Sequence, residues 1–263
     1  MRPTMGMWVW GERVLSPDGM TAFADAHGID TLFVYVSPAG AKALLDGKAS
    51  AVAAVRAMRE GSRRVYAVAG EPDWSHGGDS MPEHAALLVR LAMATPLFDG
   101  LHFDVEPNAL SEWGAPNSRP ALIAGTEKFY AMLRASAPGV VIDAAVNPVF
   151  ATLPSGSRTF LEALILHVNS VSIMAYRTSI ARSLDWAAPA VTQVAAAKRS
   201  WRLGVLVDAN PNEPGTSWFG TPREKFLSAM QSLDSLIATR FPNSHYAGLT
   251  IEGYDGLALI YAN

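Results

Sequence analysis

The 263-residue chain contains no cysteine, which removes disulfides, thiolate metal sites and cysteine nucleophiles together and leaves stability to packing. Charge is scarce as well. Charged residues make up 17% of the chain and the formal net charge is -3; no run of Lys or Arg forms a polyanion track, so nucleic acid is not an expected partner. No stretch approaches the ~20 continuous apolar residues that span a bilayer, and no membrane span is expected. The six histidines show neither H-x-x-x-H nor H-x-H spacing, so neither a metal nor another cofactor is expected. A G-x-G-x-x-G after the first strand and a P-loop are both missing, which argues against a doubly wound nucleotide-binding sheet. Met1 to Met5 carry no apolar h-region. A secreted or periplasmic location is expected if a signal has been trimmed, and a cytoplasmic one otherwise.

What the chain does contain is apolar material in a regular arrangement. Hydrophobic residues make up 49% of it, enough for one large core. Short runs rich in Val, Ile, Leu and aromatics predict strands at Gly6–Trp10, Thr31–Val36, Arg64–Gly70, Gly100–Glu106, Val140–Val146, Ser170–Tyr176, Arg202–Asp208 and Gly248–Tyr254. Between them lie stretches of helical spacing: Met20–His27 after Ser16-Pro17-Asp18-Gly19, then Ala39–Arg59, Pro82–Ala94, Thr126–Ala137, Arg158–His167, Asp185–Ser200 and Thr221–Arg240. In the last of these Thr221 is the expected N-cap, Pro222 the first helical residue and Glu224 the third residue after the cap. Eight strands alternating with helices, in a chain close to the usual ~250 residues, predict an α/β fold: a single (β/α)8 TIM barrel over 1–263. No repeat or linker divides it, and the sequence leaves its oligomeric state open.

Barrel enzymes place their sites at the carboxyl ends of the strands. In Asp99-Gly-Leu-His-Phe-Asp-Val-Glu106, strand alternation sends Leu101, Phe103 and Val105 toward the helices. His102, Asp104 and Glu106 then point inward, with Glu106 nearest the top. Neighbouring carboxylates repel when ionised, which raises one pKa and keeps an acid protonated near neutral pH. The last strand adds Thr250, Glu252 and Tyr254 on its inner face, and Glu252 is a candidate second carboxylate of an acid/nucleophile or acid/base pair. Asp208, ending the seventh strand, is a weaker candidate for that role. Aromatics expected near the rim, Trp10 and Tyr35 first, with Trp74, Trp113 and Trp218, suit stacking on sugar rings.

The strand-four segment resembles the D-G-x-D-x-D-x-E motif of the chitinase-like glycoside hydrolases of family eighteen. Asp99, Gly100, Asp104 and Glu106 match, and His102 stands where that family has its middle aspartate. Ser170-Val-Ser-Ile-Met-Ala-Tyr-Arg177 is similar to its sixth strand, often ending M-x-Y-D: Met174 and Tyr176 match, and Arg177 replaces the aspartate. The resemblance implies a glycosidase acting on an oligo- or polysaccharide, with Glu106 as general acid/base, Asp104 assisting and Tyr176 in the site. A histidine at 102 is expected to supply the hydrogen bond of the missing aspartate. The substrate-binding set read from the strand ends is His102, Trp10, Tyr35, Glu71, Asn147, Arg177, Asp208 and Tyr254, with loop capping the more ordinary role for Asn147 and Asp208. The departures at His102 and Arg177 set a catalytically silent carbohydrate-binding barrel as the alternative.

Overall fold

Eight parallel strands close on one another in a computed structural model that describes residues 4–11, 19–210 and 212–262. They are β1 (Met5–Val9), β2 (Ile29–Tyr35), β3 (Arg64–Ala69), β4 (Gly100–Phe103), β5 (Ile142–Val146), β6 (Ser170–Ile173), β7 (Ser200–Leu206) and β8 (Tyr246–Glu252). Each pairs with its sequence neighbours, and β8 returns to β1 through Met5↔Leu249 to Met7↔Ile251, closing the barrel. The helices are α1 (Met20–His27), α2 (Pro38–Leu45), α3 (Ala49–Met58), α4 (Glu83–Ala94), α5 (Arg119–Ser136), α6 (Phe160–Leu164), α7 (Ile180–Ala196), α8 (Arg223–Arg240) and α9 (Tyr254–Ala262). The fold is the expected (β/α)8 barrel. Among the described residues, no helix is long and apolar enough to cross a membrane.

Period-two alternation divides the core into two parts. Outward residues such as Leu32, Val34, Leu101, Phe103, Ile142 and Ala144 pack beneath the helices, where burial of each large side chain contributes about 1.5–3 kcal/mol. Inside the barrel, Trp8, Phe33, Tyr66 and Val68 form a separate apolar cluster with Trp10 against it. Arg202 is buried below them and donates to Thr31 Oγ1 at 3.0 Å, to Asp30 Oδ1 at 3.3 Å and to the Leu249 carbonyl at 3.3 Å. These side chains fill the middle of the barrel, below the carboxyl end where barrel enzymes place their chemistry; a cavity of about 170 Å³ opens at the amino end, lined by Tyr66, Asp143 and Arg202 among others.

Several boundaries differ from the sequence expectation for local reasons. Ala39–Arg59 is two helices, because Gly47 adopts a left-handed φ of 68° between them. α5 begins at Arg119, seven residues before Thr126, with Pro120 tolerated in its unpaired first turn. α7 likewise starts early, at Ile180, after Ser179 accepts from the Arg182 amide. Pro222, not Thr221, is the N-cap of α8, which has no side-chain cap bond. Pairing of β4 and β6 ends at Phe103 and Ile173, three residues short of Glu106 and Tyr176. α9 follows β8 in an apolar segment with no polar stop signal before it. Ser16, Pro17 and Asp18 lie outside the described residues.

Candidate active site

His102, Asp104 and Glu106 rise along the inner side of β4 and the turn above it. His102 is wholly buried and both ring nitrogens are occupied: Trp8 Nε1 donates to Nε2 at 3.0 Å, and Nδ1 lies 2.6 Å from Asp143 Oδ1. An indole nitrogen only donates, so Nε2 holds the lone pair and Nδ1 carries the ring proton toward Asp143. Asp143 also accepts from Ser170 and from Ser172, the latter at 3.2 Å. The histidine thus turns sideways into a network across β1, β4, β5 and β6. It does not supply the hydrogen bond expected for Asp104, and it sits below any ligand in the mouth. Asp143 was missed from sequence, although an aspartate amid Ile142 and Ala144, in register with His102, carries the mark of a buried acid.

Asp104 therefore lacks a partner below. Its Oδ1 is sealed from solvent without a hydrogen-bond partner among the described residues. Burial, then the charges of Glu106 and Glu252, hold its carboxyl well above the usual range. The backbone of Asp104 is fixed by its amide, which donates to the Ala69 carbonyl at 3.0 Å, and by contact with Gly70. A Cβ on Gly70 would lie 2.0 Å from the Asp104 carbonyl oxygen, so only glycine permits this approach.

Glu106 lies higher and is half-buried. Burial raises its pKa, while Asn108 Nδ2, donating to Oε2 at 3.3 Å, pulls the other way. Glu252, the last residue of β8, faces the same space, and Trp10 Nε1 donates to its Oε1 at 2.5 Å. Burial lifts its pKa to about 8; the indole bond opposes this and the charges of Asp208 and Glu106 add to it. Tyr176 is deprotonated only well above its ordinary range, through burial and then the charges of Glu252, Asp104 and Glu106. Gly204 makes room for its ring, since a Cβ there would stand 2.9 Å from Tyr176 Cε1. Three carboxyls and one phenol from β4, β6 and β8 thus share one electrostatic environment.

The remaining predicted residues divide by position. Trp10 and Tyr35 stand at the mouth, their rings 6.3 Å apart. Asp208 accepts from the Gly256 amide at 3.1 Å, holding the first turn of α9, and burial raises its pKa. Asn147 caps the turn Pro148–Ala151 through a bond from the Val149 amide. Glu71 is exposed. Arg177 turns away from the carboxyls, donating to the Tyr176 carbonyl at 2.7 Å and lying over the Trp186 ring at 4.1 Å. Tyr254 leaves the inner face by opening α9, where its ring meets Phe23 edge-on at 5.4 Å. Trp218 is buried near Phe226 and does not present the sugar platform expected of it, whereas Trp74 is half-buried on Phe129 and lines a cavity with Asp73, Met81 and Glu83. Among the described residues, no three His, Asp or Glu side chains are grouped to hold a metal.

No family model matches the sequence. No curated protein matches it either. Solved structures share the fold at low identity. Active domain 2 of a thermostable chitinase from Pyrococcus furiosus, complexed with chito-oligosaccharides, is 13% identical with a TM-score of 0.58, covering 95% of this chain and 84% of its own. A family-eighteen chitinase from Cycas revoluta in complex with (GlcNAc)3 is 12% identical with a TM-score of 0.56, covering 98% and 96%. The PgaB (BpsB) glycoside hydrolase domain from Bordetella bronchiseptica is 14% identical with a TM-score of 0.52, again over 98% and 96%. The chain therefore has the barrel fold of chitinases and related glycoside hydrolases.

Proposed function

We propose that the protein is a glycoside hydrolase in which Glu106 is the general acid/base. The observation that carries this reading is the convergence of Asp104, Glu106, Glu252 and Tyr176 at the carboxyl-end mouth, with all four ionisations suppressed mainly by burial. A carboxyl that stays protonated toward neutral pH can give its proton to a glycosidic oxygen as the C–O bond breaks. Of the carboxyls on β4, Glu106 is the higher and borders the open mouth, so it is the one a leaving oxygen would reach. The Glu106 carboxylate then recovers a proton from the water that adds to the anomeric carbon, and the charge balance closes. Asp104, held neutral beneath it, donates a hydrogen bond to the sugar. The Tyr176 phenol does the same from β6. Burial favours the protonated form of Glu252 in the empty site, lifting its pKa to about 8. Trp10 and Tyr35 offer the apolar faces of the subsite. The similarity of fold to chitinases supports this reading by analogy.

Reducing-sugar release from a broad glycan panel, with wild type and Glu106→Gln across the acid to neutral range, tests the proposal. Loss of about 10²–10⁴-fold in the variant is expected. Full activity in the variant refutes the role of Glu106. Saturable binding without cleavage by wild type favours the silent carbohydrate-binding barrel.

A further inference from the structure

The amino end of the barrel gathers polar groups that the proposed chemistry does not use. The cavity of about 170 Å³ there is lined by Arg64 and Tyr66 of β3, Asp143 of β5, Arg202 of β7 and the ring of Phe33 on β2. An arginine is costly to bury, and the three hydrogen bonds of Arg202, to Thr31, Asp30 and the Leu249 carbonyl, leave its Nε–H without a partner. The Tyr66 hydroxyl makes no hydrogen bond either, and neither atom is sealed from solvent. Its ring is admitted by glycine, since a Cβ on Gly100 would lie 2.7 Å from Tyr66 Cε1. Arg64 is exposed at the rim and takes part in no ion pair among the described residues. Burial dominates the acidity of the two inner groups, raising the pKa of Tyr66 and lowering that of Arg202, and the Arg64 charge acts on both. Two acids stand near. Asp143 is already answered by His102, Ser170 and Ser172, and Asp30 meets only Nη2 of Arg202, at 3.3 Å. What remains open to the cavity is therefore two donors and one unpaired cation.

We propose that the amino-end cavity binds a small oxyanion, held between Arg202 and Arg64 with the Tyr66 hydroxyl as a further donor. The site is at the other end of the barrel from the mouth and does not depend on the glycosidase reading. A carboxylate or phosphate oxygen accepts from Arg202 Nε–H and from Tyr66 O–H in charge-assisted bonds, the stronger kind, while Arg64 closes the rim and supplies the unpaired positive charge. A cavity of ~150 Å³ holds benzene, so a ligand of about six heavy atoms fits here and an oligosaccharide does not. A neutral or cationic ligand leaves Arg64 unanswered and offers the two donors no better acceptor than water.

The test titrates the full chain, labelled with nitrogen-15 at arginine, with sodium phosphate and with sodium acetate, following the assigned Arg202 Nε–H signal by NMR. Sodium chloride at matched ionic strength is the control for screening. A saturable shift with half-saturation on the order of 1–10 mM is expected from at least one oxyanion and not from chloride. Tyr66→Phe should weaken binding at least about fivefold and Arg64→Gln at least about threefold, with thermal melts checking that each variant folds. Arg64 is exposed, so its variant keeps the test decisive should Tyr66→Phe fail to fold. Tighter binding of phosphate marks the ligand as a phosphate compound and tighter binding of acetate marks it as a carboxylate; equal binding supports a site general for small oxyanions. The proposal is overturned if neither oxyanion gives a saturable Arg202 shift up to about 50 mM, if chloride reproduces the shift, or if Arg64→Gln binds as tightly as wild type.

Discussion

Replacing Glu252 by glutamine should make the protein more stable above neutral pH while damaging its site. The Glu252 carboxyl is lifted from an ordinary 4.5 to about 8, burial being the main cause. Between those values the folded chain holds a proton that the unfolded chain releases, so stability falls as pH rises through that window. At ~1.4 kcal/mol per pH unit, a window of about 3.5 units sets a penalty on the order of 3 kcal/mol at pH 7 and 4 kcal/mol at pH 8. Glutamine has the same shape, keeps an oxygen for the Trp10 N–H and does not titrate, so it escapes this penalty. Urea unfolding of wild type and Glu252→Gln, extrapolated to water at intervals from about pH 4 to 8.5, measures the difference directly. The two proteins should be similar at the acid end, with the variant pulling ahead as pH rises. Half of the calculated slope would satisfy the reasoning, given water entry and side-chain relaxation. A difference that stays constant with pH would refute it, because a group that does not change protonation on folding cannot couple stability to pH.

Two further outcomes follow from the bonds around this group. Asp143→Ala removes the acceptor of the His102 Nδ1–H and of the Ser170 and Ser172 hydroxyls inside the barrel; a loss of ~3–5 kcal/mol is expected by urea unfolding, and a loss below ~1 kcal/mol would refute the network's structural weight. Trp10→Phe deletes the N–H that favours ionised Glu252; the Glu252 midpoint should move above about 8 in a carbon-13 NMR titration, and a midpoint unchanged or lowered contradicts the assignment.

The barrel was legible because its signals are local. Alternation in Leu101, His102, Phe103 and Asp104 separates helix-facing from inward residues without knowledge of any partner strand, and the same rule brought Glu106 and Glu252 into view. The strands end before Glu106 and Tyr176 although the alternating pattern runs on to those residues, because the last inter-strand bonds come from the Asp104 and Met174 amides. The division of α2 from α3 was likewise hidden, because an apolar period continues through Gly47 while its left-handed backbone breaks the helix. Tyr254 obeys alternation only if β8 continues; the turn at Gly253, with φ of 99°, carries it into α9 instead. What local pattern cannot contain is pairing across the barrel. Trp8, His102 and Asp143 are brought together from three strands, with Trp8 and His102 separated by 94 residues.

That pairing bears on which acid controls Asp104. A histidine two residues before Asp104 on the same inner side of β4 is well placed to serve it from below, yet Trp8 and Asp143 consume both its nitrogens. The buried acidic side chain that goes with this histidine stands on β5, beside His102 in register and one layer below Asp104. Asp104 is left to answer to the acids at its own level and above, and the charges that raise its pKa are indeed those of Glu106 and then Glu252. Glu252 in turn responds to Asp208 and Glu106. Proton occupancy at the mouth is thus a property of a set drawn from β4, β8 and the segment after β7, and an electrostatic change at Glu252 alters the acidity of Asp104 even though the two come from strands on opposite sides of the closed barrel. A relay descending β4 through His102 would require one of its ring nitrogens to leave Trp8 or Asp143, exposing a buried donor or acceptor with no replacement. The geometry therefore places the acid–base control of this site across the barrel mouth.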